Sequence, residues 1–294
     1  MLTVPYVQAG AFRAHPTYLD SLNLRSGDAN LADQVAELTT VLLMASAEAD
    51  NYLEFGAGGT LAAHVVSENR RCKPDADGLL HLHPAHIPVV SVGSIAYGYD
   101  FTALTTVTNP NVWVRDGRNI VANLGSGVFA NPRLLGTWSR LGLFTTWTYT
   151  AGYPNTVLAA DAAASDTAVS VADATGIVAG STLRIWDPGA EEACTVATGY
   201  TVGSTTLPLV APLAYAHGAS GDSPLGISAL PAEVHLAIIQ WTTALLMRPN
   251  SKAVSQFKGA SMRLSTAGED DAWGDASGLV AAGRAALEPY RRIV

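Results

Sequence analysis

The chain has 294 residues, of which 48% are hydrophobic and 14% charged, with a formal net charge of −8. This length suits one large domain or two small ones, and so few charges leave much surface for partners to cover. The acidic balance argues against a protein that grips DNA through a basic surface, although an acidic tunnel lets a duplex slide without sticking.

No apolar run is long enough to suggest a membrane span. The first ten residues lack the basic and apolar regions of a secretory signal. Cys72 and Cys194 are far apart and have no metal-like spacing, so two reduced thiols are expected.

The first thirty residues read as loop, with Pro5, Gly10, Pro16 and Gly27. Asn30 can cap a helix whose first turn carries Asp33. Val35, Leu38, Leu42, Ala45, Ala49 and Tyr52 then recur at spacings of three and four, which predicts an amphipathic helix over 30–53. Gly56-Ala57-Gly58-Gly59 ends it. These glycines follow the helix and lack a Lys-Ser/Thr pair, so they do not form a phosphate loop.

From Leu61 to Thr150 the pattern is β. A strand is expected over 61–72, followed by a turn at Lys73–Gly78. Leu80 and Leu82 alternate with His81 and His83. Val89, Val90, Val92 and Ile95 follow, then Val112–Val114. Arg115-Asp-Gly-Arg118 predicts a tight hairpin. Leu141, Leu143, Thr145, Trp147 and Tyr149 alternate as one face of a half-buried strand.

Residues 155–224 differ in composition. They are rich in Ala, Thr, Ser, Gly and Val, and contain almost no Lys or Arg. Apolar pairs alternate at Val169/Val171, Leu183/Ile185, Cys194/Val196 and Leu207/Leu209, with glycines at turn spacing. This segment reads as a small all-β domain inserted in a loop, where insertions cost little.

The stretch 229–248 predicts a long helix. Pro231 suits its first turn, Glu233 favours the positive end of its dipole, and Pro249 stops it after Arg248. Val234, Ala237, Ile238, Trp241, Ala244 and Leu245 share one face. Leu236, Ile239, Leu246 and Met247 widen the stripe, so the helix is either central in its domain or covered by a neighbouring copy. Val35, Leu38, Leu42, Val234, Ile238, Trp241 and Leu245 are therefore the expected core or subunit interface. Beyond it, 251–277 is polar, with a short strand possible at Met262–Leu264 and an acidic loop at Glu269–Asp271. A last helix is spaced by Leu279, Ala282, Ala286 and Tyr290, with Pro289 limiting it. Arg284, Arg291 and Arg292 make this end locally basic.

No catalytic motif matches, and no enzymatic activity or cofactor is expected. His81 and His83 share a strand face and could converge on a metal with His86 nearby, but no carboxylate or cysteine lies at ligand spacing, so no metal is assigned. The six tryptophans read as core or interface anchors. Trp186, inside the inserted segment, is a candidate for sugar stacking.

In this order, Asp33–Tyr52, Ile87-Pro-Val-Val-Ser-Val92, Tyr149-Thr-Ala-Gly-Tyr-Pro154, Pro231–Arg248 and Leu287-Glu-Pro-Tyr-Arg-Arg292 resemble the head-to-tail connector (adaptor) family of long-tailed bacteriophages. The segment 155–224 departs from that pattern. It is similar to small β modules of phage virion proteins through Val171–Gly176 and Ala211–His217.

The resemblance implies an α+β fold, with a helical core and β-hairpin arm over 1–154 and 225–294 and the β module at 155–224. It implies a homo-oligomeric ring of roughly twelve copies with closing head-to-tail contacts. Such a ring sits in the virion neck and is assembled in the host cytoplasm. It joins the portal protein to a stopper or tail-completion protein while the genome passes through its lumen. Portal docking is expected of Arg284, Leu287, Tyr290, Arg291, Arg292 and Ile293. The competing expectation is a receptor- or carbohydrate-binding tail protein that uses the inserted β domain.

Overall fold

A computed structural model describes residues 2–17, 19, 21, 24, 30–53, 59–75, 77–107, 111–124, 142–219, 223–247 and 276–291. The fold is α+β. Two compact units are present: one comprises Met1–Ala62, Pro154–Ala174 and Val178–Val294, the other Ala63–Tyr153 with Thr175–Ile177. Among the described residues no helix is long and apolar enough to cross a membrane.

The first unit holds the helices. After a short α1 (Ala9–Ala14), α2 spans Leu31–Tyr52. Its start is fixed as the sequence predicts: Asn30 Oδ1 accepts a 3.0 Å hydrogen bond from the Asp33 N–H. Val35, Leu38, Leu42, Ala45 and Ala49 form its buried stripe. The glycines expected to stop it lie largely outside the described residues, and the helix closes at Leu53, whose N–H donates to the Ala49 carbonyl. Near that end Asp50 accepts from both the Tyr6 hydroxyl and the Leu61 N–H, which ties the N-terminal segment to the helix.

The organising helix, α3, spans Ala232–Leu246. Pro231 is its N-cap in an extended conformation, one step outside the first turn where the sequence places it. Val234, Ala237, Ile238, Trp241 and Ala244 are buried, and Leu245 is half-buried. Much of the wider stripe is also covered within the chain, because α2 packs against α3 and so does α4 (Ala276–Leu287). Leu236 alone of the large apolar α3 residues remains well exposed. The expected stop at Arg248-Pro249, the possible strand at Met262–Leu264 and the acidic loop at 269–271 lie outside the described residues. Pro289 ends α4 as expected, in a 3-10 turn at Glu288–Tyr290.

The rest of this unit is antiparallel β structure. One sheet runs β11 (Glu192–Thr195), β10 (Thr182–Trp186), β13 (Gly226–Ser228), β8 (Asn155–Val157). β9 (Ala168–Ser170) pairs with β12 (Thr206–Pro208). Every alternating apolar pair predicted for the segment 155–224 is buried. β8 and β13 are direct neighbours, with Asn155 opposite Ser228.

The second unit has two sheets. One has the order β1 (His64–Cys72), β7 (Leu143–Ala151), β3 (Val89–Asp100), β4 (Ala103–Thr106). The other has the order β2 (Leu79–Leu82), β6 (Asn119–Asn123), β5 (Val112–Arg115). β7 buries Leu143, Thr145, Trp147, Tyr149 and Ala151 and turns Thr146, Thr148 and Thr150 outward, the period-two pattern read from sequence. Leu80, Leu82, Ile95, Ile120 and Trp147 join this core. The β5–β6 hairpin turns at Asp116 (φ 54°) and Gly117 (φ 62°), both left-handed as a two-residue Asp-Gly turn requires.

Candidate functional site

The proposed docking residues that are described gather where α2, α3 and α4 meet. Trp241 lies edge-on to Tyr52 with ring centroids 6.0 Å apart, and its Nε1 donates to the Val280 carbonyl at 3.1 Å. α4 approaches this indole closely because position 283 is glycine. The Tyr52 hydroxyl donates to Glu288 Oε2 at 2.5 Å, and this carboxylate, with some burial, raises the phenol above its ordinary range. The Arg284 and Arg291 guanidinium groups lie 5.7 and 5.6 Å from the Tyr52 ring. Glu48, Asn51, Tyr52, Trp241, Arg284 and Arg291 line a notch of about 310 Å³.

Not all of the expected docking set faces outward. Leu287 is fully buried within its own unit, so it serves the anchoring of α4 rather than a partner. Tyr290 is half-buried and its hydroxyl lies 3.4 Å from Glu233 Oε2. Arg284 and Arg291 remain exposed. Arg292 and Ile293 lie outside the described residues.

A second concavity, about 370 Å³, lies between α1, the turn after β10 and α3. Its walls include His15, Trp186, His235 and Leu236. His235 stacks on Trp186 at 3.7 Å with an interplanar angle of 18°. Burial, reinforced by the Arg184 charge, lowers the His235 imidazole to about 3, so the ring is neutral. Trp186 is not free for sugar stacking: it carries His235 on its ring, has the Arg184 guanidinium 4.7 Å from its centroid, and donates from Nε1 to Ser228 Oγ.

His81, His83 and His86 do not converge. His81 contacts Asp75 at 3.0 Å, His83 contacts Asn119 at 2.8 Å, and His86 lies edge-on to His64. No group of three or more ligand-type side chains is arranged for a metal ion among the described residues. A polar cluster that the sequence reading did not find sits beside them. The Tyr149 hydroxyl donates to Glu68 Oε1 at 2.5 Å and accepts from the His86 N–H at 3.0 Å. Burial and then the Glu68 carboxylate hold this phenol far above its ordinary range.

Both cysteines are free thiols, in different units. Burial pushes Cys194 up to about 11. A second buried polar group was also missed: His217 sits between Asp187 and Glu192. Its partners are 30 and 25 positions away, and no local motif links them.

No protein-family model matches the sequence, nor does any curated protein. Among solved structures, a chain from the neck of an empty GTA particle computed with C6 symmetry is similar at 13% identity. The alignment covers 100% of this chain and 97% of that one, with a TM-score of 0.34. A likeness at that level is distant and fixes neither fold nor role.

Proposed function

We propose that this chain is a structural protein of a phage-like virion neck, an adaptor that assembles as a homo-oligomeric ring of roughly twelve copies. One face of the ring docks on the portal and the other receives a stopper or tail-completion protein, with the genome passing through the lumen. The observation that carries this reading is the ordered run of sequence segments from Asp33–Tyr52 to Leu287–Arg292. The scarce charge fits a surface largely covered by neighbours. An acidic chain repeated around a channel repels phosphate and keeps DNA sliding.

Portal docking falls to the exposed arginines of the C-terminal notch, Arg284 and Arg291, which Tyr52 and Glu288 hold in place. Arginine is suited to interface ion pairs with an acidic rim. One copy binds weakly, and a ring gains by avidity.

The test is co-sedimentation of the chain with portal particles, together with native mass measurement and negative-stain imaging. A portal-bound annulus is expected, and Arg284→Ala with Arg291→Ala should weaken binding while leaving the fold intact. Failure to bind portal in any state, with a monomer or trimer that binds glycan instead, would overturn the neck role in favour of a receptor-binding protein.

A further inference from the structure

Formal charge is shared unevenly along the chain. Residues 155–224 carry seven acidic side chains and one basic one, Arg184, which is already paired with Glu191 at 2.8 Å. The stretch 63–153 is the reverse, with seven lysines and arginines against five acidic side chains. Each also presents an exposed apolar patch.

In the acidic segment the patch is the loop Val210–Ala216. Its N–H groups turn inward: Val210 donates to the Thr195 carbonyl at 2.9 Å, Leu213 to the Asp166 carbonyl at 2.8 Å, and Ala214 and Tyr215 to the Glu192 carboxylate at 2.8 and 3.1 Å. Only Leu213 is buried, while Val210 is 67% and Tyr215 50% exposed. Asp161 and Asp166 stand at the base of the loop, where they accept from the N–H groups of Ala219 and Ala163. The loop is therefore an apolar projection in a negative surround.

In the basic stretch the patch lies at one end of the β1–β7–β3–β4 sheet. Strand register sets Arg71 opposite Phe144, and Phe144 opposite Gly98. The Arg71 guanidinium lies 4.0 Å from the Phe144 ring centroid, and Phe101 meets that ring edge-on at 6.2 Å. Phe101 is 61% exposed, and Arg70, Arg71 and Lys73 are exposed beside it. Asp100 is in the same turn, with its carboxylate accepting the Thr102 N–H. Arginine set on aromatic rings is the composition of an interface anchor. We propose that the two patches meet between copies: the loop 210–216 of one chain seats on the Arg71–Phe144–Phe101 cluster of the next, with Arg70 and Lys73 facing Asp161 and Asp166. The opposite charges select this pairing over loop on loop or cluster on cluster. Each chain offers one patch of each kind, so the contact is heterologous, as a closing ring requires. This rests on the ring reading above and gives the segment 155–224 a role in it.

The test uses the full chain and two variants altered only at exposed side chains. Arg71→Glu with Phe101→Ser disables one patch, and Val210→Lys with Tyr215→Lys disables the other. Self-association is followed by native mass measurement, free and on portal particles, with circular dichroism as the check on folding. The wild type should assemble, less so as salt rises. Each variant should lose self-association at least about tenfold, equivalent to about 1.4 kcal/mol. An equimolar mixture of the two should give a heterodimer that grows no further, since one intact patch of each kind remains. A photo-crosslinking residue in place of Tyr215 should capture a peptide containing Arg71 or Phe101 from another copy, identified by mixing ¹⁵N-labelled and unlabelled chains; this reading decides if a variant does not fold. A ring from either folded variant, a mixture without heterodimer, or a crosslink to another surface of the assembled ring would overturn the contact and leave the neck reading standing. A wild type that stays monomeric both free and on portal particles would overturn both.

Discussion

At residue scale the clearest contrast is between Trp241 and Gly283. The role of Trp241 is legible in sequence because its neighbours on the helical face are spaced three and four apart. Trp241→Ala should cost about 3–5 kcal/mol, read as a fall in the urea midpoint; a loss under about 1 kcal/mol would contradict a core role. Gly283 carries no such signal, since its need for a bare Cα arises only when α4 meets the indole. A methyl there would overlap Trp241. Gly283→Ala should therefore destabilise by about 1–3 kcal/mol, and Trp241→Phe should relieve part of that loss. Tyr149→Phe should cost about 1–3 kcal/mol by leaving Glu68 and the His86 N–H each short of a partner. An unchanged midpoint would show that water replaces the hydroxyl. His235 has a signature in pH. Its folded value, about 3, lies below its ordinary 6.5, so as pH falls between these the unfolded chain takes a proton that the folded chain refuses. Stability falls in that window by up to about 1.4 kcal/mol per pH unit. His235→Phe should lack this share, so its midpoint should gain on the wild type as pH drops from about 6.5 to about 4. Parallel acid limbs for the two proteins would refute it.

At the scale of elements, periodicity carried most of what sequence could tell. α2 is set by a cap and a 3-4 stripe, and β7 by strict alternation, so both were legible in advance. The Asp116-Gly117 turn is legible because few residues accept its two left-handed positions. The course of β3 is less so. Its pairing with β7 shifts register between Val89 and Ser91 and again between Val92 and Ser94. Such bulges depend on the partner strand and break the alternation on which a sequence reading relies. The segment 155–224 reads as an insertion by composition, and β8 beside β13 brings its two ends together. Excising 156–223 and joining Asn155 to Pro224 should leave a soluble helical core. It should also lower the unfolding midpoint, because the excision removes Trp186 from His235 and Ser223 Oγ from the Gly10 N–H. Insoluble product from several linkers, or loss of the helical circular dichroism signal, would show that the segment is integral.

At the scale of the whole molecule, low charge and acidity were visible in composition, whereas the polar clusters were not. Asp187, Glu192 and His217, or Glu68, Tyr149 and His86, meet only through strand pairing across long stretches of chain. The same pairing has a kinetic consequence. Helices α2 and α3 pack together although both excursions, 63–153 and 155–228, lie between them. Each excursion is closed at its base. Ala63 donates to the Tyr153 carbonyl at 2.7 Å, and Asn155 faces Ser228. Closing the whole interval at once is entropically costly and slow. Zipping the two stems first shortens the effective route from Leu53 to Ala232 to the connecting stretches 54–62, 154 and 229–231, so α2–α3 docking should be a late event in refolding, gated by the stems rather than by the helices themselves.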